Sequence, residues 1–233
     1  MRSQTDKEEH GEIVALCWSI WQSRNNLVWN QKKCEVNFVV FSTKQYLAEW
    51  KNTQVMSTQA LYQDVKHGDG AISWVRPKKD VVKITIDAAL FAESSKYGIG
   101  LLARDDKGDV IQGRSEVFQG VVLQEFAEAI AVKEALSWVK GREWREVVVE
   151  SDCLAVVQAI RSNVDMRSPF GSLIMECRLM ISELNIDLCF IRRSANMAAH
   201  CIVRESCSFP GRVFDRRSVP VELESILLAD LFE

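Results

Sequence analysis

Three acidic residues of this 233-residue chain stand where carboxylates could hold metal ions: Asp87, Glu128 and Asp152. Asp87 ends the apolar run Val81-Val-Lys-Ile-Thr-Ile86, and Asp152 follows a second such run, Glu146-Val-Val-Val-Glu150. Glu128 lies between them in a stretch of helical spacing, with the small Ala131 and Ala135 nearby. If the two runs are adjacent parallel strands, Asp87 and Asp152 emerge side by side. Three carboxylates gathered in this way repel one another unless cations hold them. Hard oxygen ligands suit Mg²⁺ or Mn²⁺, and a pair of such ions clamps the attacking and leaving oxygens of a phosphodiester. Each residue also has a plainer reading: Asp87 as a strand end met by turn amides, Asp152 as a helix N-cap, Glu128 as a solvated helix residue. Spacing alone does not choose between these readings.

The elements that must position them follow from periodicity. Residues 11–64 read as helical, with Ile13, Leu16, Ile20, Leu27 and Val28 in one pattern and Val39, Val40, Tyr46, Leu47 and Trp50 in another. His67-Gly-Asp-Gly70 and Arg76-Pro-Lys-Lys-Asp80 have turn and linker chemistry. Strands then follow at 81–86, 97–103 and 110–118, the last two turned by Asp105-Asp-Lys-Gly108, which predicts a three-stranded antiparallel meander. A helix to Val139 precedes the strand at 146–150, and Ser151-Asp152 is placed to cap the helix Leu154–Arg161. Ser168-Pro169 opens another helix, Ile186, Leu188 and Phe190 alternate as a fifth strand, and a last helix starts near Asn196. The order β-β-β-α-β-α-α-β-α predicts an α/β fold: a mixed five-stranded sheet with helices on both faces. The expected organisation is a helical extension at 1–66, a linker at 67–80, the α/β domain at 81–209 and a tail at 210–233 with a short helix over Val221–Leu231.

Composition narrows the classes. The net charge is −3, with a slight positive excess confined to the first eighty residues, so a strongly basic nucleic-acid binder is excluded. An enzyme whose own acids hold cations is not, although weak, salt-sensitive substrate affinity is expected of it. No apolar run reaches the ~18 residues of a membrane span, and the charged start lacks the apolar stretch of a signal peptide. An intracellular protein, nuclear or cytoplasmic, is expected. Seven cysteines without a CxxC pair argue against a disulfide framework or a zinc site. Trp18, Trp21 and Trp29 sit among helical apolar residues and read as core rather than as base-stacking platforms.

Several segments together resemble a known family. Lys83-Ile-Thr-Ile-Asp-Ala-Ala89, Gly98-Ile-Gly100, Ala127-Glu128, Val149-Glu-Ser-Asp152 and Asn196-Met-Ala-Ala-His200 are similar, in order, to the motifs of type 1 ribonuclease H. They most resemble the reverse-transcriptase-like branch from plant non-LTR retroelements, and the match covers about residues 80–208. Upstream, Trp18-Ser-Ile-Trp-Gln-Ser-Arg-Asn25 is similar to the segment that precedes the domain in those elements. The resemblance implies a ribonuclease H-like fold and a four-carboxylate site of pattern Asp, Glu, Asp, Asp. The first three positions fall on Asp87, Glu128 and Asp152, and the fourth on His200. Ala88 stands where glycine usually follows the first aspartate, and Arg192-Arg-Ser-Ala195 replaces a histidine-bearing loop.

The implied activity is Mg²⁺- or Mn²⁺-dependent hydrolysis of the RNA strand of an RNA/DNA hybrid, leaving a 3′-hydroxyl and a 5′-phosphate. Asp87 and Asp152 would bridge the metals, and Glu128 would position one metal and the water. His200 has three readings: a metal ligand, a general acid or base, or the mark of a decayed site. Arg192, Arg193 and Asn196 are the candidate substrate-binding residues, with the arginines placed to meet phosphates. The alternative is a catalytically silent domain that binds nucleic acid or a protein.

Overall fold

A computed structural model describes residues 68–232 except 163, 165 and 167, together with scattered positions between 13 and 43. The chain divides into two compact units, one of 1–64 with 166–168, the other of 65–165 with 169–233. Between 13 and 43 the described positions of the first unit are helical. Trp21, read as core, is 58% exposed there: an apolar stripe at helical spacing finds a core only where another face covers it. Trp18 and Trp29 lie outside the described residues.

The second unit is built on a six-stranded sheet of order β5-β4-β1-β2-β3-β6. Its strands are β1 (Val81–Phe91), β2 (Lys96–Arg104), β3 (Val110–Gln119), β4 (Glu146–Ser151), β5 (Asp187–Phe190) and β6 (Val213–Asp215). The meander β1-β2-β3 is antiparallel, β4 and β5 add in parallel beside β1, and β6 adds antiparallel to β3. The sheet therefore has one strand more than the five expected. The extra one, β6, is three residues long, too short to show alternation in the sequence.

The helices are α1 (Gln124–Lys140), α2 (Leu154–Arg161), α3 (Pro169–Leu184), α4 (Met197–Glu205) and α5 (Val221–Phe232). Alternation along the strands sends Lys83, Thr85 and Asp87 to one face, which α4 covers, and Ile84 and Ile86 to the other, which carries α1. The α1 face is an apolar core, with Ile84, Ile86, Ile99 and Leu101 all fully buried. On the α4 face, Leu102, Val110, Ala198, Ile202, Phe214 and Leu223 form an apolar cluster. Gly100, paired with Asp87, lets α4 settle there: a Cβ at this position would lie 2.7 Å from the Val203 nitrogen and 2.8 Å from the Ala199 oxygen.

Residues 68–80 run along this unit. The Asp69 carboxylate takes both Arg161 guanidinium arms, at 2.7 and 2.8 Å, and the Phe190 amide. Ala71 bridges Ile191, and Trp74 is buried.

Candidate active site

Asp87 is not a strand end. β1 continues four residues beyond it to Phe91, held by pairing with β2 out to Lys96. The parallel register of Ile86 with Ser151 brings Asp152 beside it, one residue past β4. Glu128 arrives from the second turn of α1. One carboxylate oxygen from each of Asp87, Glu128 and Asp152 lies within 4.8 Å of the others. The plainer reading of Asp152 as a cap fails, since α2 has Cys153 at its N-cap position and no side-chain cap bond. It is the Ser151 hydroxyl that accepts from the Cys153 amide.

The burial of this cluster makes it chemically unusual. Asp87 is fully buried and Glu128 is 4% exposed, and Asp87 Oδ1 and Glu128 Oε2 have no hydrogen-bond partner among the described residues. Burial, then the charge of Asp87, pushes the Glu128 carboxyl up to about 8. Burial and the charge of Asp152 raise Asp87, against a lowering by its His200 hydrogen bond and by Arg193. Two buried, destabilised carboxylates, each with an orphaned oxygen among the described residues, and Asp152 beside them are a fit for a divalent cation, which would relieve desolvation and repulsion together.

Two carboxamides tie the acids to β1 on either side of Asp87. Asn196 Nδ2 donates to the Ile86 carbonyl at 2.7 Å and to Asp152 Oδ1 at 3.1 Å. Gln124 Nε2 donates to the Ala88 carbonyl at 3.0 Å and to Glu128 Oε1 at 2.8 Å. His200, on the first turn of α4, meets Asp87 Oδ2 through Nδ1 at 2.8 Å. Arg193 reaches Asp152 Oδ2 at 3.4 Å and lies 3.3 Å from His200 Nε2 and 2.8 Å from its Nδ1. A neutral ring that donates from Nδ1 to Asp87 leaves Nε2 to accept from Arg193. The Nδ1 approach of the arginine is then contact rather than a hydrogen bond.

The model of the reverse transcriptase-like family matches residues 85–206, a span that contains all of these groups. The chain belongs to that family. Its fold is that of the ribonuclease H-like superfamily. It is similar to RNase H1 of the halophilic archaeon Halobacterium salinarum NRC-1, at 15% identity and a TM-score of 0.50, over 55% of this chain and 98% of that one. It is also similar to LC11-RNase H1, isolated from compost by a metagenomic approach, at 21% identity and a TM-score of 0.50, over 55% of this chain and 96% of that one. No curated protein matches.

Within the family frame, the residues singled out in the sequence separate into two groups. Asp87, Glu128, Asp152, Arg193, Asn196 and His200 come together. Arg192 does not: its amide donates to the Ala71 carbonyl, and its exposed side chain makes no hydrogen bond or ion pair among the described residues. Neighbouring residues alternate in direction after β5, so one arginine of the pair faces the acids and the other leaves. Gln124 was missed. Its signal was a carboxamide four residues before Glu128, on the same helix face. Cys153 adjoins the cluster, but burial pushes its thiol up to about 12, which keeps it protonated and unsuited to nucleophilic attack.

Proposed function

We propose that this domain hydrolyses the RNA strand of RNA/DNA hybrids, using Mg²⁺ or Mn²⁺ held by Asp87, Glu128 and Asp152. The observation that carries the reading is the convergence of three carboxylates within 4.8 Å, two of them bearing buried oxygens without partners among the described residues. A divalent ion there supplies Lewis acidity toward a phosphodiester oxygen. The chain's own residues do the rest. Asn196 and Gln124 fix the orientation of Asp152 and Glu128 against β1, and Asp87 is locked between β2 and β4. Arg193, 59% exposed on its side chain, is placed to meet a phosphate of the substrate. His200 fills the fourth position through Asp87, and the absence of a carboxylate there makes the activity weak.

A silent binding domain is the second reading. It is favoured by the engagement of Asp87 and Asp152 with His200 and Arg193, which satisfies part of the acidic cluster without an ion. Cleavage of a labelled hybrid at low salt in Mg²⁺ and in Mn²⁺ separates the two. Wild type should cleave slowly, better in Mn²⁺, and Asp87→Asn should fall to background. His200→Asp should raise the Mg²⁺ rate by restoring an oxygen ligand. Equal cleavage by wild type and Asp87→Asn would remove the hydrolytic reading.

A further inference from the structure

We infer that this site takes a single divalent cation, because Arg193 and His200 occupy the place of a second. The inference rests on the metal-dependent reading above and replaces the paired ions expected from the sequence. Each carboxylate presents two oxygens, and their partners divide them into two sets. Asp87 Oδ2 is taken by His200 at 2.8 Å, and Asp152 Oδ2 by Arg193 at 3.4 Å. Arg193 and His200 also touch each other, so these two oxygens are spanned by one continuous pair of basic side chains. Asp87 Oδ1 and Glu128 Oε2 are the buried oxygens of these three carboxylates left without a partner among the described residues, and they are the ones an ion would find open.

Charge balance agrees with this division. A guanidinium keeps its positive charge at any working pH. Three carboxylates, one guanidinium and one divalent ion are neutral together when the imidazole is neutral. A second divalent ion would leave the site two charges positive, in a place where Asp87 is fully buried and Glu128 nearly so. It would also have to displace the imidazole from Asp87 and the guanidinium from Asp152. In a fully acidic site the fourth residue would bring a negative charge to that corner. Here the corner carries a positive one.

Mn²⁺ titration of the folded chain, read by calorimetry and by electron paramagnetic resonance, tests the inference without reference to cleavage. Wild type should bind one Mn²⁺ per chain with an uncoupled signal. Arg193→Ala, a change at an exposed side chain that leaves the core intact, should bind two, with the exchange-broadened signal of ions ~4 Å apart. Arg193→Gln, which keeps polarity but loses the charge, should do the same. Two ions in the wild type, or one ion in both Arg193 variants, would overturn the single-cation assignment. Asp87→Asn separates the levels of the argument: it should lose Mn²⁺ binding. If it instead binds like the wild type, the carboxylate site falls, and the inference with it.

Discussion

Glu128 lies in an environment far from that of an ordinary carboxyl. Burial and the neighbouring Asp87 hold it up to about 8, against 4.5 for a free glutamate. The folded chain therefore keeps a proton that the unfolded chain gives up near pH 4.5. Between those two values the native state binds more protons than the unfolded state, so stability falls as pH rises, and the loss is complete above about 8. Each unit of displacement is worth about 1.4 kcal/mol, so the whole effect amounts to several kcal/mol. In chelator, the melting temperature should be lower at pH 8 than at pH 5, and Glu128→Gln should remove most of that slope. A wild type that melts alike at both values would show that Glu128 is not held as a buried acid. Saturating Mn²⁺ should lift the pH 8 melt, by about 2.7 kcal/mol at a hundred times its dissociation constant, with protons released on binding.

At the scale of elements, the site depends on how closely α4 lies against β2. Gly100 allows the approach, and α4 brings His200 to Asp87 while its leading residue Asn196 bridges Ile86 and Asp152. Gly100→Ala would press a methyl group into helix backbone that cannot rotate aside. It should cost roughly 1–3 kcal/mol and weaken Mn²⁺ binding, since the Asn196 bridge moves with the helix. Unchanged metal affinity in a destabilised Gly100→Ala variant would separate packing from site geometry. The elements also show what the sequence carried. Strand runs around Asp87 and Asp152 and the helical spacing around Glu128, read with the family resemblance, pointed to the three acids meeting beside β1 and β4. Ala88-Ala-Leu90 lacks β-branched residues, so β1 looked shorter than it is. The contacts of Arg193 and Gln124 depend on side-chain directions after docking, which periodicity does not encode. Residues 68–80 carry glycine and proline signals of a linker, yet Trp74 among them is buried by long-range packing that local chemistry does not announce.

Across the whole domain, one long connection joins the sheet to the last helix. Arg104 of β2 is 1% exposed, lies 3.4 Å over the Trp74 ring and pairs with Asp230 of α5 at 2.6 Å. Beside it, Lys83 pairs with Glu150 at 2.7 Å, also buried. Taking away one partner of a buried pair leaves the other charge stranded, at a cost of about 3–5 kcal/mol. Asp230→Ala should therefore lower the melting temperature of the domain far more than the loss of the exposed Lys140–Glu183 pair through Glu183→Ala, which is worth ~1 kcal/mol or less. Equal, small effects in thermal melts would show that Arg104 is sustained without Asp230, by Trp74 and the nearby charge of Glu150. The same pairing sets an order of events during synthesis. Arg104 leaves the peptidyl-transfer centre 126 residues before Asp230, which at 5–20 residues per second is about 6–25 s. Throughout that interval the nascent β1-β2 hairpin holds a guanidinium without its hydrogen-bonded Asp230 partner, so closing this part of the core must wait for α5, and the growing chain stays open to chaperones until then.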